Sequence, residues 1–319
     1  MIDGEFDNSK NKLKLQDFIK IVSLKKKLSY SVLGMIGSRS DGMVENAFNE
    51  LELRRQVGPE IVHIPLNTFF SKVKSLSDIN AKSSLHELFK TEHIDGIEDN
   101  VLIESVKIYI ALKEFVDELD LDGLTIKCWP ELKVNDVCSP CYGLSKLHDQ
   151  GITTACEADT TALVSMIIGD KLSDGASFLS DLLKIDDKNK YAYYFHCGAA
   201  STLLAGTDGD VLYDAHPFTD AWKPGVIVKF PVRPGRVVFA RLVEKEGKYQ
   251  MVAYTGEAVE TDEFVKGNTL KVKPEKTPSY VVDSLTDFGT QHHQIMFYSE
   301  TMIPLRTFCK FANIGLYEI

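Results

Sequence analysis

Apolar positions along this chain change their spacing part-way, and the change separates two kinds of architecture. In residues 10–27 a lysine-rich stretch carries Leu13, Leu15, Phe18, Ile19, Ile21, Val22 and Leu24 at intervals that give a helix one packed side and one solvated basic face. That helix runs on into further globular sequence, so packing against protein is expected of it rather than membrane binding. SYSVLGMIG reads as a short apolar strand ending at Gly34 and Gly37. A polar loop and a helix over 43–57 follow, and EIVHIPL supplies a second strand. This βαβ pattern predicts parallel pairing with a right-handed crossover. Residues 76–119 read as helical, finishing in the periodic run ESVKIYIALKEFVDEL. LDGLTIKCW then reads as buried strand, GLSKLHDQ as a helix stopped by Gly151, ITTACE as strand and DTTALVSMIIGDKL as helix.

Beyond about residue 205 the helical crossovers cease. GVIVKFPV, RVVFARLVEK, KYQMVAYTGEAVE, TLKVKP and SYVVDSLTDF are β-rich runs separated by turn signals such as Arg233-Pro234-Gly235 and Glu246-Gly247. They should pair mainly antiparallel, as a barrel or sandwich. A last helix over 300–311 precedes a final strand, IGLYEI. The expected fold class is α/β, with a parallel-sheet Rossmann-like domain over residues 1–172 and a mainly antiparallel β-barrel domain over 173–319.

Composition narrows the class further. At 319 residues the chain exceeds the ~250–300 at which one core stops growing, which agrees with two domains. Hydrophobic residues make up 44% and charged residues 26%, which excludes a mostly disordered chain. No apolar run approaches the ~20 residues that span a bilayer, and MIDGEFDNSKNKLKL lacks the apolar core of a signal peptide. Lys and Arg number 36 against 46 Asp and Glu, a net charge of -10 that argues against nucleic acid as a partner. Six cysteines are too sparse for a disulfide scaffold, so a reducing cytoplasm is expected.

The loop after the first strand, Gly34-x-x-Gly37-x4-Gly42, matches neither G-x-G-x-x-G nor G-x-x-x-x-G-K-[ST], although it sits where open α/β sheets bind ligands. Polar chemistry gathers elsewhere, in KCWPELKVNDVCSPCYG, TACEADTTALV, FLSDLLKID, YYFHCGAAS and GTQHHQIMF. Glu157 ends an apolar strand at the rim where parallel sheets build sites; it suits proton transfer, or equally a carboxylate at the start of the next helix. Asp181 lies in a short apolar run, read as helical, and either faces solvent or joins a site. His196 is either a hydrogen-bonded structural residue or a ligand. Adjacent His292 and His293 on a strand would point to opposite faces, so one of them at most is expected at a given site. Together Glu, Asp and His form a mixed oxygen and nitrogen set suited to Mn²⁺ more than to Mg²⁺. Cys138-x-x-Cys141 lacks the second pair that a structural zinc needs and reads as a packed turn in preference to a thiol redox pair.

At these residues the chain resembles the L-fucose isomerase and L-arabinose isomerase superfamily. The resemblance is carried by Cys128-Trp129-Pro130-Glu131, Cys138-Ser139-Pro140-Cys141, Ala155-Cys156-Glu157-Ala158-Asp159, Phe195-His196-Cys197-Gly198, RPGRVVFARL and His292-His293, in the family's order and over nearly the whole chain. It implies a metal-dependent aldose–ketose isomerase, an intramolecular oxidoreductase of carbohydrate metabolism acting on an open-chain sugar through an enediol. Mn²⁺ or another divalent ion would be held by Glu157, Asp181, His293 and His196, with Glu157 and Asp181 also catalytic. Asp181 follows the fucose branch, whereas His196 matches a ligand of the arabinose branch. Trp129 could wall the sugar, His292 could contact it, and Lys127 could meet an anionic substituent.

One departure bears on function. The resemblance begins after an N-terminal α/β domain that the family carries, and that domain helps to close a neighbouring subunit's site. The chain is therefore expected to work as a homo-oligomer or with a partner chain supplying that domain, and to be slow or inactive alone. The alternative reading is a non-catalytic sugar-binding or regulatory relative, truncated or split.

Overall fold

A computed structural model describes residues 9–88, 96–173, 175–206, 211–220 and 223–319. The first half alternates helix and strand as the pattern predicts. Helix α1 (Ser9–Tyr30) leads into strand β1 (Val32–Ile36), helix α2 (Glu50–Gln56), strand β2 (Glu60–Ile64), helices α3 (Leu66–Ser75), α4 (Asp78–Leu88) and α5 (Asp99–Glu118), and strand β3 (Gly123–Ile126). Helices α6 (Glu131–Val134) and α7 (Cys141–Asp149), strand β4 (Thr153–Cys156) and helix α8 (Thr160–Ser173) complete it. The four strands are parallel, in the order β2-β1-β3-β4.

The second half runs through β5 (Phe178–Asp186), β6 (Tyr191–His196), β7 (Leu212–Ala215), β8 (Val226–Pro231), β9 (Gly235–Lys245), β10 (Lys248–Val259), β11 (Asn268–Pro274), helix α9 (Pro278–Phe288), β12 (His293–Tyr298), helix α10 (Ile303–Ala312) and β13 (Gly315–Glu318). Strands β10, β9, β12, β5, β6 and β11 pair antiparallel in that order. The β10–β11 pairing returns the sheet to its start, so six strands close a barrel. Closure removes the exposed strand edges an open sheet would carry. Strand β13 joins β10 in parallel and β8 joins β11 in parallel, the departures from antiparallel order.

Four expectations are corrected. FLSDLLKID is strand β5 and not helix, so the β-rich half begins at Phe178. Its alternation is masked because Phe178, Leu179 and Ser180 are all buried while Leu183 and Lys184 are exposed. SYVVDSLTDF is helix α9, begun by Pro278 and ended by left-handed Gly289, stop and start signals that outweigh its β-branched pair. The segment over 43–57 splits into a 3₁₀ turn at Val44–Asn46 and α2, whose N-terminus Asn49 caps by accepting from Glu52 N. On α1 the packed side is Ile21, Leu24 and Leu28, while Phe18 and Ile19 are exposed.

Helix α8 joins the two halves. Nearly every side chain from Thr160 to Gly169 is buried, and the helix packs against β3 and β4 of the parallel sheet on one side and β9 and β12 of the barrel on the other. Its apolar residues share one core with α1, α10 and both strand sets. A helix buried all round holds its two flanking sheets in fixed relation, and the polar cluster lies where α8 begins.

Candidate functional site

Glu157 leaves strand β4 through a strained turn. Glu157 and Ala158 have φ of 61° and 54°, the left-handed region that costs an L-residue roughly 1–2 kcal/mol. The turn is held by Ala158 N donating to Ile126 O at 3.0 Å and by Asp159 N donating to Cys156 O at 3.2 Å. Two consecutive left-handed residues turn the chain directly from strand to helix and present the Glu157 carboxylate at the sheet's carboxyl rim. Strain of this kind concentrates at functional sites. Asp159 starts α8, its Oδ1 accepting from Ala162 N at 2.8 Å.

The barrel brings the other groups by register. Strand β5 lies between β12 and β6, and Asp181 pairs with His293 on one side and with Phe195, the neighbour of His196, on the other. Asp181, His196 and His293 therefore meet at one end of three adjacent strands, and α8 sets Glu157 against them. His293 Nε2 lies 3.1 Å from Glu157 Oε2 and 3.9 Å from Asp181 Oδ1. His292 Nε2 lies 3.8 Å from Glu157 Oε2 and 3.9 Å from Asp181 Oδ1.

Both histidines thus reach one site, against the expectation that strand alternation would separate them. Strand β12 begins only at His293, so His292 precedes the pleat and is free of it. His293 is wholly buried, and its Nδ1 faces Asp159 Oδ2 at 2.8 Å; half-exposed His292 places Nδ1 2.8 Å from Glu45 Oε1. Asp181, left open between solvent and site by its sequence, turns into the site.

Three buried atoms here lack a hydrogen-bond partner: Asp181 Oδ1, His196 Nε2 and His293 Nε2. The Glu157–His293 contact of 3.1 Å is a close approach without hydrogen-bond alignment. Unpartnered buried polar atoms are costly, and in native proteins each calls for an explanation. Ligand atoms of Asp181, His196 and His293 lie within 4.8 Å of one another, and so do those of Glu157, His292 and His293. Atoms bound at ~2.0–2.2 Å to a common ion are at most about 4.4 Å apart, so both sets are of the size a divalent ion would draw together. The residues fit a divalent ion, in spacing and in their mix of carboxylate and imidazole.

The electrostatics agree. Burial opposes ionisation of Glu157, but His292 and His293 beside it hold its carboxyl far below the usual range. Burial likewise opposes charge on His293, yet the contacts with Asp159 and Glu157 raise it to about 10. His196 is pushed down by burial. His216, buried and close to His196, falls to about 4.

The remaining sequence candidates lie on the rim of the parallel sheet. Lys127 follows β3 one residue past the Ile126–Cys156 pair and so sits level with Glu157. Its buried ammonium contacts Glu131, and Asp41 lies 3.4 Å away. Gly37, at φ 85°, makes room for it, since a Cβ there would lie 2.9 Å from Lys127 Cβ. Trp129 is partly buried against the core beneath the sheet. Cys138 and Cys141 are buried, their thiols pushed far up by desolvation, and among the described residues no cysteine joins a ligand cluster.

Two residues at the site carried no assignment from sequence. Asp159 is fully buried and accepts from Arg241 Nη2 through both oxygens at 2.8 Å. Arg241, 1% exposed, also donates to Thr161 Oγ1 at 2.9 Å and to Gln291 Oε1 at 3.2 Å. An arginine in the otherwise apolar run VVFARLV was the available signal, because a charge there needs a buried partner.

No family model matches the chain. Over nearly its whole length it is similar to curated proteins named sulfoquinovose isomerase. It is 22% identical over 317 residues to the one from Alkalicoccus urumqiensis, covering 99% of this chain and 71% of that protein. With the Priestia aryabhattai protein the identity is 25% over 301 residues, covering 93% and 66%. With that of Clostridium sp. strain MSTE9 it is 27% over 197 residues, covering 61% and 43%. These relatives indicate an isomerase. The chain spans about two thirds of the length of the first two, and among its described residues no helix is long and apolar enough to cross a membrane.

Proposed function

We propose that this chain carries a metal-dependent aldose–ketose isomerase site of the L-fucose isomerase-like kind, acting on an open-chain sugar through an enediol. The observation that carries this reading is the convergence of Asp181 Oδ1, His196 Nε2 and His293 Nε2, three buried atoms without hydrogen-bond partners, beside Glu157. Glu157, Asp181, His196 and His293 would hold the ion, Mn²⁺ being the best match to two carboxylates and two imidazoles. A divalent ion bound there would polarise the sugar carbonyl and stabilise the negative charge that develops on adjacent oxygens.

The chain's own groups account for the proton transfers. One carboxylate of the Glu157–Asp181 pair takes the proton from the carbon beside the carbonyl, whose electron pair forms the enediol double bond. The second returns a proton to oxygen. Delivery of the first proton to the neighbouring carbon, while the second carboxylate takes the proton from the other hydroxyl as its C=O forms, completes the ketose. His292, half-exposed beside both carboxylates, would contact the sugar hydroxyls, and Trp129 would wall the sugar.

The relatives' names point to sulfoquinovose, a sulfonated sugar, and Lys127 is the candidate for its anionic group. An anion would take the place of Asp41, the exposed and more distant of its two carboxylate neighbours. The α/β half over 1–172 would supply Glu157 and Lys127, and the barrel half over 173–319 the other ligands. Association of copies, or of a partner chain, belongs to the same reading. Phe18 and Phe311 meet edge to face on the exposed sides of α1 and α10, an apolar surface suited to it.

The test is ketose formation by the full chain on a panel of aldoses, sulfoquinovose included, with Mn²⁺, after chelation, and after Mn²⁺ is restored. Product that depends on the ion supports the proposal. Ion binding without product on any sugar favours a non-catalytic sugar-binding protein.

A further inference from the structure

His293 is the residue common to both ligand sets, and its ring is not held by the barrel alone. Asp159 Oδ2 lies 2.8 Å from its Nδ1, on the side away from Glu157 and Asp181. Asp159 is itself fixed from two elements, β9 and α8. Arg241 from β9 grips both carboxylate oxygens, Ala162 N at the start of α8 donates to Oδ1, and Thr161 Oγ1 lies 3.2 Å from the same oxygen. Arg241 continues the chain, donating through Nε to Gln291, whose Nε2 donates to Glu45 O at 3.0 Å. Glu45 in turn faces Nδ1 of His292. Each histidine of the pair is thus braced at Nδ1 by a carboxylate, and the two braces are linked through Gln291 and Arg241.

We infer that Asp159, clamped by Arg241, is a positioning residue that fixes the ring of His293 and keeps the proton on its Nδ1, so that the Nε2 lone pair faces the ion site. A carboxylate is an acceptor only, so it can bond Nδ1 only while that atom carries hydrogen. An imidazole that ligates a metal commonly gives its other N–H to a carboxylate, and removing that partner lowers metal affinity by about 10- to 100-fold. Arg241, donating to both oxygens of Asp159, stops its carboxylate from turning toward the ion. The inference rests on the ion site proposed above, and it assigns Asp159 to the ring of His293 and not to the ion.

The first test uses the full chain with ¹⁵N-labelled histidine, loaded with Zn²⁺ as a diamagnetic probe. His293, identified by loss of its signals in His293→Gln, should show a proton on Nδ1 protected from exchange. A proton on Nε2 overturns the inference. The second test measures Mn²⁺ affinity, from the signal of the free ion, in Asp159→Asn and Arg241→Lys. Asp159→Asn should lose about 10- to 100-fold, and Arg241→Lys, which keeps a cation beside Asp159, should lose less. A folded Asp159→Asn variant with unchanged affinity and an unchanged His293 proton position also overturns it. If Asp159→Asn does not fold, the measurement on the unsubstituted chain still decides. Should the unsubstituted chain bind no divalent ion, it is the ion site that fails.

Discussion

Gly169 is the position at which packing and the site are most directly coupled. It lies within α8, and a Cβ built there would sit 2.8 Å from Phe297 Cδ1, 3.2 Å from Cγ and 3.3 Å from Cβ. Carbon atoms settle at about 3.5–4.0 Å, so Gly169→Ala must displace the Phe297 ring or lift α8 by several tenths of an ångström. Phe297 is 1% exposed on β12 and has little room to turn. Overpacking of this kind costs about 1–3 kcal/mol. Alanine recovers about 1 kcal/mol of helix propensity, leaving a net loss of about 0–2 kcal/mol. The same shift reaches the site, because α8 begins next to Asp159 and β12 begins at His293, and the two are joined at 2.8 Å. Urea melts of Gly169→Ala, Phe297→Leu and the double variant form a cycle. Once Phe297→Leu has removed the ring, the alanine should be neutral or stabilising by up to about 1 kcal/mol, with Mn²⁺ affinity recovering in step. A Gly169→Ala variant clearly more stable than the parent, or additivity within about 0.3–0.5 kcal/mol, refutes this reasoning.

Glu157→Gln and Asp181→Asn should each abolish Mn²⁺ binding while leaving far-ultraviolet circular dichroism unchanged; retained stoichiometric binding by either would remove it from the ligand set. Lys127→Met should raise KM for a sulfonated aldose and leave KM for its neutral analogue alone, and equal effects on both would deny Lys127 the anionic group. Cys138→Ala with Cys141→Ala should keep the ion content of the parent, a lost equivalent of zinc being the contrary result. Asp170→Asn breaks a buried pair with His148 Nε2 at 3.0 Å and should cost about 3 kcal/mol or more near pH 5. Burial lowers His148, but Asp170 outweighs it and raises the histidine. Asp170 itself is opposed by burial and lowered overall by His148, Ser177 and Thr153. The histidine's share of stability is complete below its unfolded value and lost as pH rises through the raised folded one, while the carboxylate's is lost only in acid. Urea melts of parent and variant should therefore converge between pH 5 and pH 9, and a difference that widens toward pH 9 would contradict the assignment.

The parallel half was legible because its helices and strands carry separate signals: the periodic run over 104–119, the apolar strands ending at Ile126 and Cys156, and glycine stops such as Gly151. The barrel was legible as a series of strands, but its entry was not, because β5 enters fully buried and leaves exposed without regular alternation. Helix α9 was missed where Val281 and Val282 outweighed the proline and glycine that bound it. At the site, Glu157, Asp181, His196 and the histidine pair could be picked out as residues, but their convergence depends on the register of β5 against β6 and β12. Register over such distances has no local signature. For the same reason Arg241 could be seen as an anomaly in an apolar strand without its partner, 82 residues away, being evident.

Proton transfer at the Glu157–Asp181 pair is the central claim, and the fate of the hydrogen on the aldose C2 carbon tests it most directly. An aldose deuterated at C2 is converted by the full chain in ordinary water with Mn²⁺, and the ketose is examined for label at C1. Transfer through a carboxylate and an enediol exposes the label to solvent protons, so the ketose should carry deuterium at C1 in part of its molecules and ordinary hydrogen in the rest, with the label lost to water. Complete retention at C1 over many turnovers would contradict transfer by these carboxylates, and failure to form ketose from any aldose would contradict the account as a whole.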